Sequence, residues 1–180
     1  MQKEFSPQSM AKMAMCIALI SVSSYITFPL PFTPAMITAS TAAMGLAALV
    51  LTPKQTFITM SAYLILGGLV GLPILPGGIG GLGRLLGPTG GFYFAWVVAY
   101  TLVSMFKGER INFKRYLIVT LAFSLTIVYI GGIASMMMVL DIGLEAAVVQ
   151  AMLPFIPGDI FKGIIAAFVA VKVNKALPNT

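Results

Sequence analysis

Four stretches without one charged residue make up most of this chain. They are Met13–Pro53 (41 residues), Gln55–Gly83 (29), Leu85–Phe106 (22) and Tyr116–Leu140 (25). A helix crossing a bilayer needs about 20 mostly apolar residues, so each run holds at least one crossing. Only 9% of the 180 residues are charged and 59% are hydrophobic, with a mean hydropathy of +1.00. A soluble domain of that size needs far more polar surface. The chain is therefore read as an integral membrane protein, with the lipid bilayer as its solvent.

The longest run must be divided. "PLPFTP", Pro29–Pro34, has three prolines in six residues and cannot continue a helix. Spans are expected near Met10–Phe28, Ala35–Leu51, Gln55–Leu75, Thr89–Phe106, Lys114–Leu140 and Gly158–Leu177. A short apolar segment, Ala146–Leu153, precedes the last of them. The expected fold class is an all-α integral membrane protein, one domain over residues 1–180, built as a bundle of six transmembrane helices. The first apolar run ends in Pro29, lacks a clear A-x-A cleavage site and is followed at once by more apolar sequence, so it reads as a retained span.

Orientation follows from lysine and arginine in the connections. With the N-terminus inside, Lys3, Lys12, Lys54, Lys107, Arg110, Lys114, Arg115, Lys172 and Lys175 share one side. The other side holds Arg84, with Lys162 just inside the last span. Both termini are expected on the cytoplasmic side.

The net charge of +6 does not indicate nucleic acid, because the charges are few and scattered between apolar runs. The chain has no histidine, which removes His-based metal sites and the commonest general base. Its one cysteine, Cys16, has no partner for a disulfide. No G-x-x-x-x-G-K-[ST] stretch exists to bind ATP.

"GGIGGLGRLLGPTGGFYFAW", Gly77–Trp96, puts glycine-rich backbone and an isolated cation, Arg84, on the outer side. Gly78, Gly80 and Gly83 spell G-x-G-x-x-G, but a dinucleotide site needs a strand before it and an acid about 20 residues on, and neither is present. Thr89 is a candidate N-cap. Gly90 and Gly91 would then expose N–H groups at the positive end of a helix. Tyr93 and Trp96, three apart, share a face one turn deeper. A plainer reading is a tight re-entry flanked by an interfacial aromatic belt.

"PFIPGDIFKG", Pro154–Gly163, places Asp159 and Lys162 at i and i+3 on one helix face. Taken singly, Asp159 caps the helix and Lys162 snorkels outward. Taken together, ionisable groups within spans usually face a cavity or a partner. Two polar clusters in the outer leaflet could converge on one pocket for a small amphiphile carrying a carboxylate. Gly67, Gly68 and Gly71 on the third span read as a close helix contact. Ala11, Ala14 and Ala18 on the first form a small-residue stripe, for internal packing or for a membrane partner.

These pieces carry a resemblance. "PLPFTP", "GLGRLLGPTGGFYFAW" (Gly81–Trp96) and "PGDIFKG" (Pro157–Gly163), in that order and spacing, resemble the BioY family. Its members are biotin-specific substrate-capture components of energy-coupling factor transporters. The resemblance implies a six-helix bundle in a prokaryotic cell membrane, with a biotin pocket near the outer face. It implies a membrane coupling subunit and two cytoplasmic ATPase subunits as partners, and no nucleic acid. The loop between the first two spans would be a lid, here Pro29, Phe32 and Thr33. Docking of the coupling subunit maps to Ala14 and Ala18. Candidate substrate-binding residues are Arg84, Gly90, Gly91, Tyr93, Trp96, Asp159 and Lys162, and which cation meets the carboxylate stays open. Relatives often read "PITLQT" where this chain has "MITAST", Met36–Thr41, so Ser40 stands in place of a glutamine. No cofactor, metal or catalytic residue is expected, and the chain is read as no enzyme. The alternative is a stand-alone secondary transporter for a small carboxylate, against which stands the scarcity of membrane-embedded carboxylates for ion coupling.

Overall fold

Prolines and short polar turns set the helix boundaries in the computed structural model, which describes residues 5–176. Lys3 and Leu177, used above for orientation and for the end of the last span, lie outside the described residues. Helix α1 (Pro7–Ser23) starts at Ser6, whose side chain accepts from the Ser9 N–H. A two-stranded antiparallel hairpin follows, β1 (Thr27–Pro29) paired with β2 (Met36–Thr38), and the proline-rich stretch forms its tip. Next come α2 (Ser40–Val50), α3 (Pro53–Leu64) with a π-helical turn (Ile65–Leu69), and the short α4 (Leu82–Leu86). Helix α5 is Gly90–Phe106. Helices α6 (Phe113–Phe123) and α7 (Tyr129–Leu140) are joined by a second π-helical turn, Ser124–Val128. Helix α8 (Leu144–Ala151) leads through a 44° bend into α9 (Ile156–Ala176).

Three expectations change. The fold is helical with a small sheet, and so not strictly all-α. The second span was expected from Ala35, but Met36–Thr38 is extended and the helix begins at Ser40. The β-branched pair Ile37–Thr38 favours a strand, and the Thr38 hydroxyl accepts from the Ser40 N–H at 3.1 Å. Gly67 and Gly68 do not meet another long helix. A Cβ on them would strike the Leu75 and Leu85 side chains of the following connection, at 2.6 and 2.4 Å, and Gly71 ends the helix with φ +83°. Among the described residues only the continuous body Phe113–Leu140, 28 residues long, has by itself the length and apolar character of a crossing, and the bent α8–α9 pair is a second candidate.

Helices α2 and α5 form the centre, α2 packing on α1, α3, α5 and α9. Helix α2 is rich in small buried residues, among them Ala43, Gly45, Ala47 and Ala48. Eleven residues span only about 16 Å, half a hydrocarbon core. Its last carbonyls therefore need partners inside the protein. Lys107 Nζ donates to Ala48 O at 3.1 Å and also to Leu51 O, Asn174 Nδ2 donates to Leu49 O at 3.1 Å, and Ser104 Oγ donates to Leu51 O at 2.7 Å.

Burial pushes the Lys107 ammonium down from its ordinary 10.5 to about 8. The unfolded chain then binds more protons than the folded one between those values, so stability should rise as pH goes from about 8 to 10.5. Unfolding midpoints in detergent across that range would test this, and Lys107→Met should flatten the rise. An identical rise in that variant would put its cause elsewhere.

Candidate functional site

The second π-helical turn sets the geometry of the site. It inserts one residue's worth of rotation into the α6–α7 body, a feature common at functional sites. Tyr129, just after it, turns inward and its hydroxyl donates to Asp159 Oδ2 at 2.6 Å. Asp159 sits in the first turn of α9 and pairs through Oδ1 with Lys162 Nζ one turn on. Lys162 also donates to Thr38 O of β2 at 3.2 Å. It does not snorkel outward, and its side chain is only 15% exposed, with Asp159 at 21%. A half-buried pair of this kind is helped to hold its charges by the further hydrogen bonds that each member makes.

The pair forms one wall of a cavity with about 570 Å³ of empty space, part of it open to the surface. Tyr93 and Trp96 form another wall, their rings 4.9 Å apart and edge-on at 84°. Trp96 is 6% exposed, yet its Nε1–H has no acceptor. Arg84 reaches the cavity from α4, and among the described residues no hydrogen bond or ion pair occupies its guanidinium. Five of the seven substrate-binding candidates thus line one space.

Gly90 and Gly91 are placed elsewhere. The Gly90 N–H donates to Gly87 O at 2.9 Å, and neither glycine lines the cavity. Both stand where backbones nearly touch: a Cβ would come within 1.9 Å of Leu85 O at Gly90, and within 1.9 Å of Gly131 O at Gly91. Thr89 occupies the N-cap position without a side-chain capping bond. Of the proposed lid residues, Pro29 and Phe32 are exposed, and Thr33 Oγ1 donates to Gln150 O at 2.9 Å, clasping the hairpin onto α8. None of the three lines the cavity, whereas Pro34, Ala35 and Met36 just after them do. The glycine connection is fastened as well, Gly77 N–H to Ser24 O and Gly81 N–H to Gly67 O. Ser40 is buried against Thr38, its hydroxyl 2.9 Å from Thr38 Oγ1, and does not line the cavity. Ala14 and Ala18 lie exposed on α1, while Met13 and Ile20 are buried.

Sequence reasoning missed Tyr129, Thr38, Thr41 and Phe155, all of which line the cavity. Tyr129 carried at most a faint signal, as one of several hydroxyls in an uncharged run. The other three carried none, since their placement depends on the hairpin and on the bend before α9.

The BioY family model matches residues 1–179. A Bacillus subtilis protein named "Probable biotin transporter BioY" is 33% identical over 171 residues, covering 93% of this chain and 91% of that one. "Biotin transporter BioY2" of Lactococcus lactis is 31% identical over 174 residues, covering 96% and 93%. A crystal structure of the S-component for biotin from an ECF-type ABC transporter superposes with a TM-score of 0.85 at 28% identity, over 95% of each chain. With its whole length matched in sequence and nearly all of it in fold, this chain belongs to the BioY family.

Proposed function

We propose that this chain is the high-affinity biotin-binding subunit of an energy-coupling factor ABC-type transporter and has no ATPase activity of its own. The observation that carries the reading is the cavity itself. It combines a half-buried anion–cation pair, a guanidinium without a partner among the described residues and an aromatic wall in one partly open space. Biotin presents matching groups: two ureido N–H donors, a ureido oxygen, an apolar bicycle and a carboxylate. Asp159, held by Tyr129, accepts from the ureido N–H groups, and Lys162 donates to the ureido oxygen with the N–H that otherwise binds Thr38 O, which keeps the Thr41 hydroxyl as donor. Arg84 takes the carboxylate in a two-pronged contact, because its guanidinium is uncommitted. Tyr93 and Trp96 flank the bicycle. Gly90 and Gly91 act indirectly, by holding α5 against its neighbours. Biotin is cargo here, and no resident cofactor or metal takes part.

Nanomolar capture corresponds to about −12 kcal/mol. Spread over biotin's non-hydrogen atoms, this is roughly −0.75 kcal/mol each, half the best-case ceiling of about −1.5. Such efficiency needs a preformed, closed site. The hairpin, clasped through Thr33, serves as the cover, with Pro29 and Phe32 on its outer side.

The chain is placed as a six-span protein of the prokaryotic cell membrane with both termini cytoplasmic, a reading supported by the charge asymmetry. The coupling subunit docks on the exposed Ala14–Ala18 face, and two ATPase subunits act through it. Equilibrium binding of labelled biotin to the purified chain in detergent tests the ligand. One-to-one binding displaced by desthiobiotin is expected, and no binding by folded protein would reject the reading. Replacing Ala14 and Ala18 with tryptophan should leave that binding unchanged and stop uptake by cells. Persistent uptake would exclude this face as the docking surface. Uptake that follows an ion gradient without any ATPase would favour the secondary transporter.

A further inference from the structure

On the far side of the Asp159–Lys162 pair, one helical turn along α9, lies a second, smaller polar cavity. Thr41, Tyr100, Thr120 and Ser124 line it together with the pair, and Gly163 and Ala166 leave it open by having little or no side chain. Thr120 is 3% exposed and its Oγ1 has no hydrogen-bond partner. A buried hydroxyl left without a partner is destabilising. The Tyr100 hydroxyl donates to Thr41 O at 3.1 Å and retains a free acceptor site. The Lys162 ammonium has three N–H groups, of which Asp159 and Thr38 O take two.

We propose that this cavity is a built site for one ordered water molecule, held by Thr120, Tyr100 and the third N–H of Lys162. The three groups supply the two to four partners that a buried water requires, in a space of water size. The water accepts from Lys162, donates to the Tyr100 oxygen and satisfies the Thr120 hydroxyl. It fixes the ammonium from the side opposite the ligand cavity. Thr120 is thereby a positioning residue for Lys162, acting through the water, although it does not line the ligand cavity. The second π-helical turn contributes by bringing Ser124 to the same space. A metal ion does not fit the role, because the one carboxylate lining the cavity, Asp159, is already paired with Lys162.

The experiment combines a ligand-free crystal structure at a resolution that shows waters with the variants Thr120→Val and Thr120→Ser. Density is expected within hydrogen-bond distance of both Thr120 Oγ1 and Lys162 Nζ. Thr120→Val should lose it, unfold at a lower temperature and bind biotin about three- to tenfold more weakly, the equivalent of one hydrogen bond. Thr120→Ser should restore all three properties. A dry cavity in the parent protein, or a Thr120→Val protein that is more stable and binds biotin unchanged, overturns the proposal, because removing a truly orphaned hydroxyl is favourable. Only the binding arm rests on the biotin reading. If the parent protein ignores biotin while the water is present and Thr120→Val is destabilised, the functional reading fails and the water site stands.

Discussion

Asp159→Asn should weaken biotin binding by about 100-fold or more while the protein still inserts and purifies as one species. The substitution keeps the side-chain shape and leaves a carbonyl oxygen for the Tyr129 hydroxyl, which Asp159 Oδ2 now accepts at 2.6 Å. It removes the charge that pairs with Lys162 and that would strengthen two ureido contacts. Bonds to a charged acceptor are worth about 1.5–3 kcal/mol, and losing the charge also leaves the buried ammonium uncompensated. Asp159→Ala should abolish binding and cost stability too, since Lys162 would lose the anion it is paired with. Lys162→Met should also abolish binding. The measurement is a titration with labelled biotin beside a thermal unfolding curve for each variant. Unaltered affinity in both Asp159→Asn and Lys162→Met would remove the pair from the site.

Gly91→Ala should be among the most damaging conservative changes in the chain. The added carbon would sit 1.9 Å from Gly131 O and 2.7 Å from Ser135 Oγ, so α5 and α7 would have to separate. The contact is reciprocal, since a Cβ on Gly131 would meet Gly91 O at 2.6 Å. Overpacking of this kind costs about 3 kcal/mol or more where backbone rather than a flexible side chain is struck. Alanine keeps the N–H, so a loss of folding separates the packing role from a ligand-binding one. Gly83→Ala is the control: nothing lies within 4 Å of the added carbon, and it should unfold at the parent temperature. Equal stability of Gly91→Ala and the parent would mean that α5 and α7 are held less closely than described.

The two sites differ in how far they could be read in advance. Asp159 and Lys162 were legible because an ionisable pair in an apolar segment is costly unless it meets something. Tyr93 and Trp96 were legible from helical spacing alone. Gly90 and Gly91 were expected as exposed donors and do not line the cavity, because a glycine pair at a helix start supports two accounts, exposed donors or close approach. Only the position of Gly131, forty residues on, separates them. The lid was expected at Pro29, Phe32 and Thr33, whereas the residues of that connection that line the cavity are Pro34, Ala35 and Met36, where it enters β2.

By itself the sequence indicated the solvent of this protein, the rough limits of most of its apolar segments, and the ionisable and aromatic residues that the cavity gathers. Those follow from local properties: hydropathy over a window, proline geometry and the cost of burying charge. The tertiary structure decided which of those residues meet. It shortened the second span into a strand and an eleven-residue helix, and supplied Lys107, Ser104 and Asn174 to its open end. It also turned Tyr129 onto Asp159 through a π-helical turn. Such choices depend on long-range packing, in which a backbone carbonyl left unpaired in an apolar interior finds its partner wherever another helix brings one.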